Sequence, residues 1–174
     1  MESADWNMYK HFFTRQDVPP KTLLLREGDI SKTAYYIEKG CVRSWFNNDG
    51  KDITFQFFFE GQGVSSVESF INNQPSLYGL ETIEPCILQG ISKSDFYHIL
   101  DHSAGFKKEF DRQIFNRLFF YQQLFLSRIK DSPQKRYEVL LKEHPEILKR
   151  IPQHYIASYL GITPVSLSRI RNRR

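Results

Sequence analysis

Apolar residues recur along this chain with two different periods, and the change falls at Ser92. Before it they come in short runs closed by turn residues. Residues 22–26 lead to Glu27-Gly28-Asp29, residues 34–38 to Lys39-Gly40, residues 41–46 to Asn47-Asn48-Asp49-Gly50, and residues 52–59 to Glu60-Gly61-Gln62-Gly63. A short helix-like piece follows, and the runs resume over 78–83 and 87–91. Runs of this length predict strands, and Asp-Gly between two of them predicts a hairpin. Together they predict an antiparallel β-roll or barrel. Residues 1–20 read as helical and then irregular, with Pro19-Pro20 as the stop.

From Ser92 the period is helical. Phe96 and Leu100 stand four apart behind capping-type residues, and a long helix is predicted over about 105–130. That helix carries one stripe of Phe110, Ile114, Leu118, Tyr121 and Phe125, and a second of Phe115, Phe119, Gln122, Leu126 and Ile129. One stripe is enough to dock on the barrel, so the surplus predicts pairing with the same helix of a second subunit. Ile114, Leu118, Tyr121 and Phe125 are the expected dimer interface. Asp131-Ser132-Pro133 ends this helix and caps the next, which His144-Pro145 ends or bends.

The last stretch reads as a helix, a tight turn and a second helix. Ile156, Ala157 and Leu160 form an apolar stripe, Gly161 supplies a left-handed helix end, and Thr163 and Pro164 suit the N-cap and first position of the second helix. Leu167 and Ile170 mark its inner face. Thr163, Pro164, Val165, Ser166, Ser168, Arg169 and Asn172 are left outward or partly outward, followed by Arg171, Arg173 and Arg174. A helix-turn-helix that reads DNA requires such a polar, cationic second helix on an apolar base. The bland reading is a helical hairpin with a basic tail.

Charge sharpens this picture. The net +4 is uneven: residues 131–174 hold nine Lys/Arg against four Asp/Glu, and the remainder fifteen against sixteen. A neutral body with a basic end suits a polyanionic partner. Aromatics are abundant at 15%, so a Phe-rich core is expected. No apolar run approaches the ~20 residues of a membrane helix, and the N-terminal residues lack the pattern of a signal peptide, so a cytoplasmic protein is expected. Cys41 and Cys86 both fall in strand-like runs and are expected as buried thiols.

The order of elements, with Leu25-Arg26-Glu27-Gly28-Asp29, the run from Tyr36 to Arg43 through Glu38-Lys39-Gly40, and Ile156-Ala157-Ser158-Tyr159-Leu160-Gly161-Ile162-Thr163 through Ser168-Arg169-Ile170, resembles the Crp/Fnr family of bacterial transcription regulators. The ending is most similar to members from Bacteroidetes-type bacteria. The resemblance spans nearly the whole chain. It implies an α+β fold: a cyclic-nucleotide-binding-like β-roll (a double-stranded β-helix) over 1–104, a dimerisation helix over 105–131, and an all-α helix-turn-helix domain over 132–174. It further implies a homodimer on a palindromic operator in double-stranded DNA, with RNA polymerase as a further candidate partner.

Departures from the family pattern matter as much. Members that bind cyclic nucleotides carry a Gly-Glu pair and then an Arg in a phosphate cassette. Here Ser66 and Ser76 align with the Glu and Arg positions, and no Arg exists between Arg43 and Arg112. A phosphate taken out of water needs a cation or several donors, so cyclic AMP is not expected. The cysteine cluster of the oxygen-sensing branch is missing from residues 1–40, and no histidine lies between Phe12 and Tyr97 to ligate haem or a cupin-type metal. His98 and His102, four apart on a helix, read as an exposed pair rather than metal ligands. No cofactor is evident. An effector pocket, if used, is expected from Phe57, Phe58, Val64, Ser66, Val67, Phe70, Ser76 and Tyr78 and would suit an apolar or aromatic ligand; the same side chains could simply fill the barrel.

At the DNA end, Pro164 and Val165 stand where familiar members place reading residues, and Arg169 matches a third reading position, suited to guanine O6 and N7. The resemblance also implies a two-stranded wing after the second helix. With the sequence ending at Arg174, those phosphate contacts are expected from Arg171, Arg173, Arg174, Lys135-Arg136 or residues beyond this stretch. No nucleophile–base spacing suggests an enzyme. The alternative is an effector-independent interaction protein that kept the fold and lost specific DNA binding.

Overall fold

The computed structural model describes residues 8–172. Eight strands form two four-stranded antiparallel sheets: β1 (Thr14–Val18), β8 (Cys86–Ser92), β3 (Thr33–Lys39) and β6 (Gly63–Val64) in the first, and β2 (Leu23–Leu25), β7 (Gly79–Thr82), β4 (Val42–Asn48) and β5 (Lys51–Phe58) in the second. The β4–β5 hairpin turns at Asp49 and Gly50, both at positive φ (51° and 81°), with Asn48 facing Lys51. This is the two-residue turn that the Asp-Gly pair predicts. Ile37, Val42, Phe58, Val64, Leu80 and Leu88 fill the interior between the sheets.

The first strand is a correction. Residues 14–18, expected to be irregular, pair with β8 from Thr14 opposite Gly90 to Val18 opposite Cys86. Their sequence, TRQDV, has no alternating apolar face; tertiary pairing overrides weak local preference here. The two-residue β6, also missed, pairs with β3 at Tyr35 and Tyr36.

Seven helices follow among the described residues: α1 (Val67–Asn72) inside the roll's sequence, then α2 (Lys93–His102), α3 (Ala104–Lys130), α4 (Pro133–Glu143), α5 (Pro145–Arg150), α6 (Gln153–Leu160) and α7 (Pro164–Asn172). The starts of α2 and α4 are capped as the sequence predicts, and Ser103 caps α3 as well. Ser92 accepts from the Asp95 amide at 3.1 Å, Ser103 from Phe106 at 3.0 Å, and Ser132 from Lys135 at 3.2 Å. Tyr9, Phe70, Ile91, Phe96 and Ile99 form a second core joining the roll to α2 and the start of α3.

A third core joins the C-terminal helices to the second sheet. Tyr137, Leu140, Ile147, Ile156, Leu160 and Leu167 cluster there with Cys41 and Phe57 of the roll. Each such side chain, fully buried, contributes roughly 1.5–3 kcal/mol. The helix-turn-helix unit is therefore seated on the roll rather than tethered beside it.

Candidate nucleic-acid interface and sensor cavities

The C-terminal helix pair is built from its buried side outward. Ile156, Ala157, Leu160 and Leu167 are each at most 2% exposed and lock α6 against α7. Gly161 (φ 69°) closes α6, its amide bonding back to the Ala157 and Ser158 carbonyls. Two arginines satisfy the next carbonyls: Arg128 donates to Tyr159 O, and Arg136 donates to Leu160 O at 3.0 Å while its other arm holds Asp131 O. Cations there also suit the negative end of the helix dipole. The positive φ at residue 161 favours glycine, and a Cβ there would also push the Arg128 guanidinium aside. Thr163 then caps α7, its hydroxyl accepting from the Ser166 amide at 3.1 Å.

With its base fixed in this way, α7 presents Pro164, Val165, Ser168, Arg169, Arg171 and Asn172 to solvent. Val165 is 60% exposed. Ser166 is half-buried, and its hydroxyl lies 3.0 Å from that of Thr163. Of the sequence-predicted DNA contacts, Thr163, Pro164, Val165, Ser168, Arg169 and Asn172 are therefore each exposed. Arg173 and Arg174 lie outside the described residues.

The other end of this unit faces the roll. The β5 amide of Thr54 donates to Ser158 Oγ at 2.8 Å, and that hydroxyl donates to Asp52 O at 3.1 Å. β5 is an edge strand with a bulge opposite Ser44 and Trp45, and α6 covers it. Arg43, 2% exposed, is the anchor of the junction. It donates to Glu81 at 2.6 Å, Thr54 at 3.1 Å and Asp52 at 3.3 Å, and its guanidinium carbon lies 4.0 Å from the Tyr155 ring centre. At the rim, Arg150 grips both Glu60 oxygens, at 2.8 and 3.0 Å, and also bonds Glu84. The Arg150 guanidinium holds the Glu60 carboxyl down at about 2. Nothing in the sequence pattern announced this junction.

The predicted effector residues divide. Val64, Val67 and Phe70 line a cavity of about 720 Å³ bounded by β3, β6, α1 and the first half of α3. Ser66 and Ser76, the cassette positions, are buried and bonded to each other at 2.8 Å, and Ser76 also donates to Tyr78 O. Tyr78 turns its hydroxyl to Ser65 O and packs edge-on to Phe55. Phe57 faces the opposite way, its ring 5.4 Å from that of Tyr159, beside a second cavity of about 500 Å³ between roll, α3 and helix-turn-helix. Phe58 belongs to the interior core.

The predicted dimer residues divide as well. Leu118 and Phe125 are 57% and 65% exposed. Ile114 is half-buried at the first cavity, and Tyr121 turns inward, donating to Gln56 Oε1 at 2.7 Å. The second stripe supplies the rest of the open face: Phe115, Phe119, Leu126 and Ile129 are all exposed. A single 3.6-residue period cannot say which of two stripes a long helix turns to its own body.

Comparison with known proteins follows this anatomy. No curated protein sequence matches the chain. Among solved structures, the c-di-GMP-responsive global regulator CLP of Xanthomonas campestris superposes with a TM-score of 0.76 at 19% identity, over 99% of this chain and 91% of its own. FixK2 of Bradyrhizobium japonicum gives 0.79 at 15% identity, covering 92% and 83%. The catabolite activator protein of Thermus thermophilus gives 0.64 at 16%, covering 99% and 83%. No described helix is long and apolar enough to cross a membrane. The chain's fold is shared with these solved structures, and because residues 15–103 match the cyclic nucleotide-binding domain, the chain belongs to that domain family.

Proposed function

We propose that this chain is a non-enzymatic, cytoplasmic transcription regulator that binds a palindromic DNA operator as a homodimer, and whose roll does not take cyclic AMP. The observation that carries the reading is the capped, core-locked α7, which offers Val165, Ser168 and Arg169 to solvent in a unit with an excess of positive charge. Such a helix meets the width of a B-DNA major groove with side chains suited to base edges. The open apolar face of α3 supports pairing of two copies along that helix. The mutual Ser66–Ser76 bond, with no Arg between Arg43 and Arg112, supports the exclusion of a cyclic phosphate.

Selection of binding sites from random DNA with the purified protein tests this. A palindrome is expected, with half-sites about one helical turn (~34 Å) apart, and with affinity falling steeply as salt rises. Arg169→Ala should relax preference at one base pair of each half-site by roughly 1–3 kcal/mol. An equal loss on every sequence would make Arg169 a phosphate contact. Phe125→Glu should give a monomer in sedimentation at micromolar concentration, because it places a charge in an otherwise apolar seam. The docking of α6 on the β5 edge favours one other reading, a regulator of protein contacts that holds its helix pair permanently on the roll; selection that enriches no sequence would establish it.

A further inference from the structure

Arg117, on the inner side of α3, is partly buried and lines both cavities. It donates to Gly63 O at 2.6 Å, and its guanidinium carbon sits 4.9 Å from the centre of the Phe58 ring. Among the described residues no carboxylate pairs with it, and its remaining N–H groups have no protein acceptor. Desolvation lowers its pKa. A cation held partly out of water without a counter-ion is costly, and folded proteins seldom keep one for packing alone.

Its surroundings specify what would compensate it. The wall of the 720 Å³ cavity is apolar and aromatic, from Val64, Val67, Phe70, Phe96, Phe106 and Phe110. Two carboxylates reach the same space, and both are already engaged. Glu38 accepts from Arg15 and Gln89, and Glu109 from Arg112 and Gln113. One positive charge is therefore left over. Polyphosphates would meet two carboxylates for that single free cation, whereas one carboxylate balances it. The volume lies within the ~300–1,000 Å³ typical of small-molecule sites.

We propose that this cavity binds an organic monocarboxylate with an aromatic or alkyl body, its carboxylate on Arg117 and its body against the phenylalanines of α2 and α3. The site takes its cation from the long helix rather than from the roll; Ser65 and Val67 line it on either side of Ser66, while the Ser66–Ser76 pair itself does not. Occupancy would tie β6 to α3 through the residue that already holds Gly63. The proposal rests on the sensor half of the reading above and not on DNA binding, so a failure to find an operator leaves it standing.

Calorimetry with 1-naphthaleneacetate and its neutral isostere 1-naphthaleneacetamide provides the test. The acid should bind one per chain and more tightly than the amide by roughly tenfold, the worth of a charge-assisted bond. Arg117→Met should erase that preference, Arg117→Lys should keep most of it, and Ile114→Trp, which fills the cavity, should abolish binding of both compounds. Circular dichroism confirms that each variant is folded, and the lysine variant decides the matter should the methionine variant misfold. Equal binding of acid and amide, an unchanged affinity in Arg117→Met, binding that survives Ile114→Trp, or no heat from either compound at millimolar concentration would each overturn the proposal.

Discussion

Arg43, fully buried, and Arg117, partly buried, sit at the two junctions of this molecule, and their surroundings are opposite. At the junction of the second sheet with the helix-turn-helix unit, Arg43 meets two carboxylates, a hydroxyl and the rings of Trp45 and Tyr155. Between the first sheet and the long helix, Arg117 has one carbonyl and one ring. A buried ion with full compensation holds two parts of a fold in one geometry. A partly buried ion without it leaves room for a ligand to complete the set. The C-terminal junction is thus the more firmly held of the two.

Substitution at the closed junction should have the largest effect. Arg43→Met strands Glu81, 16% exposed, and removes the stack under Tyr155, while Asp52, 46% exposed, keeps its water; loss of the Glu81 partner should cost about 3–5 kcal/mol in urea unfolding. A loss below ~1 kcal/mol would mean that water reaches Glu81 as well, and the contrast would collapse.

Acid titration should have an intermediate effect. Glu60 has its ordinary carboxyl value of 4.5 in the unfolded chain and about 2 in the fold, held there by Arg150. Arg112 holds Glu109 at about 2 in the same way. Because the folded carboxyls are the stronger acids, their contribution is complete above pH ~4.5 and disappears as pH falls toward 2. Glu60→Gln should flatten this acid limb in part, leaving the share of Glu109. An unchanged limb would place the coupling of Arg150 with Glu84 alone.

Arg117→Met should have the smallest effect. It abandons no carboxylate and loses one hydrogen bond, so the unfolding free energy without ligand should change by less than ~1.5 kcal/mol. Loss of folding in this variant would make Arg117 a structural cation like Arg43 and erase the difference between the two junctions.

Much of the architecture was legible from local chemistry. Asp49-Gly50 specified a two-residue hairpin because few residues tolerate positive φ. Ser92, Ser132, Gly161, Thr163 and Pro164 marked helix ends because orphan amides and carbonyls need partners. The long helix and the exposed face of α7 followed from periodicity. β1 was not legible, since Thr14–Val18 is a strand only because β8 lies beside it. Nor was the split of the effector residues, because neighbours in sequence such as Val64 and Ser66 differ in what they face.

By itself the sequence determined the β4–β5 hairpin, the long helix and the ends of several helices, because these depend on contacts within a few residues. Only the tertiary structure decided which of two apolar stripes on α3 stays open, that Ser158 serves the β5 edge, and that one arginine is neutralised while another is not. Those outcomes depend on partners far away in the chain, such as Gly63 for Arg117, 54 residues distant, and no local pattern encodes them.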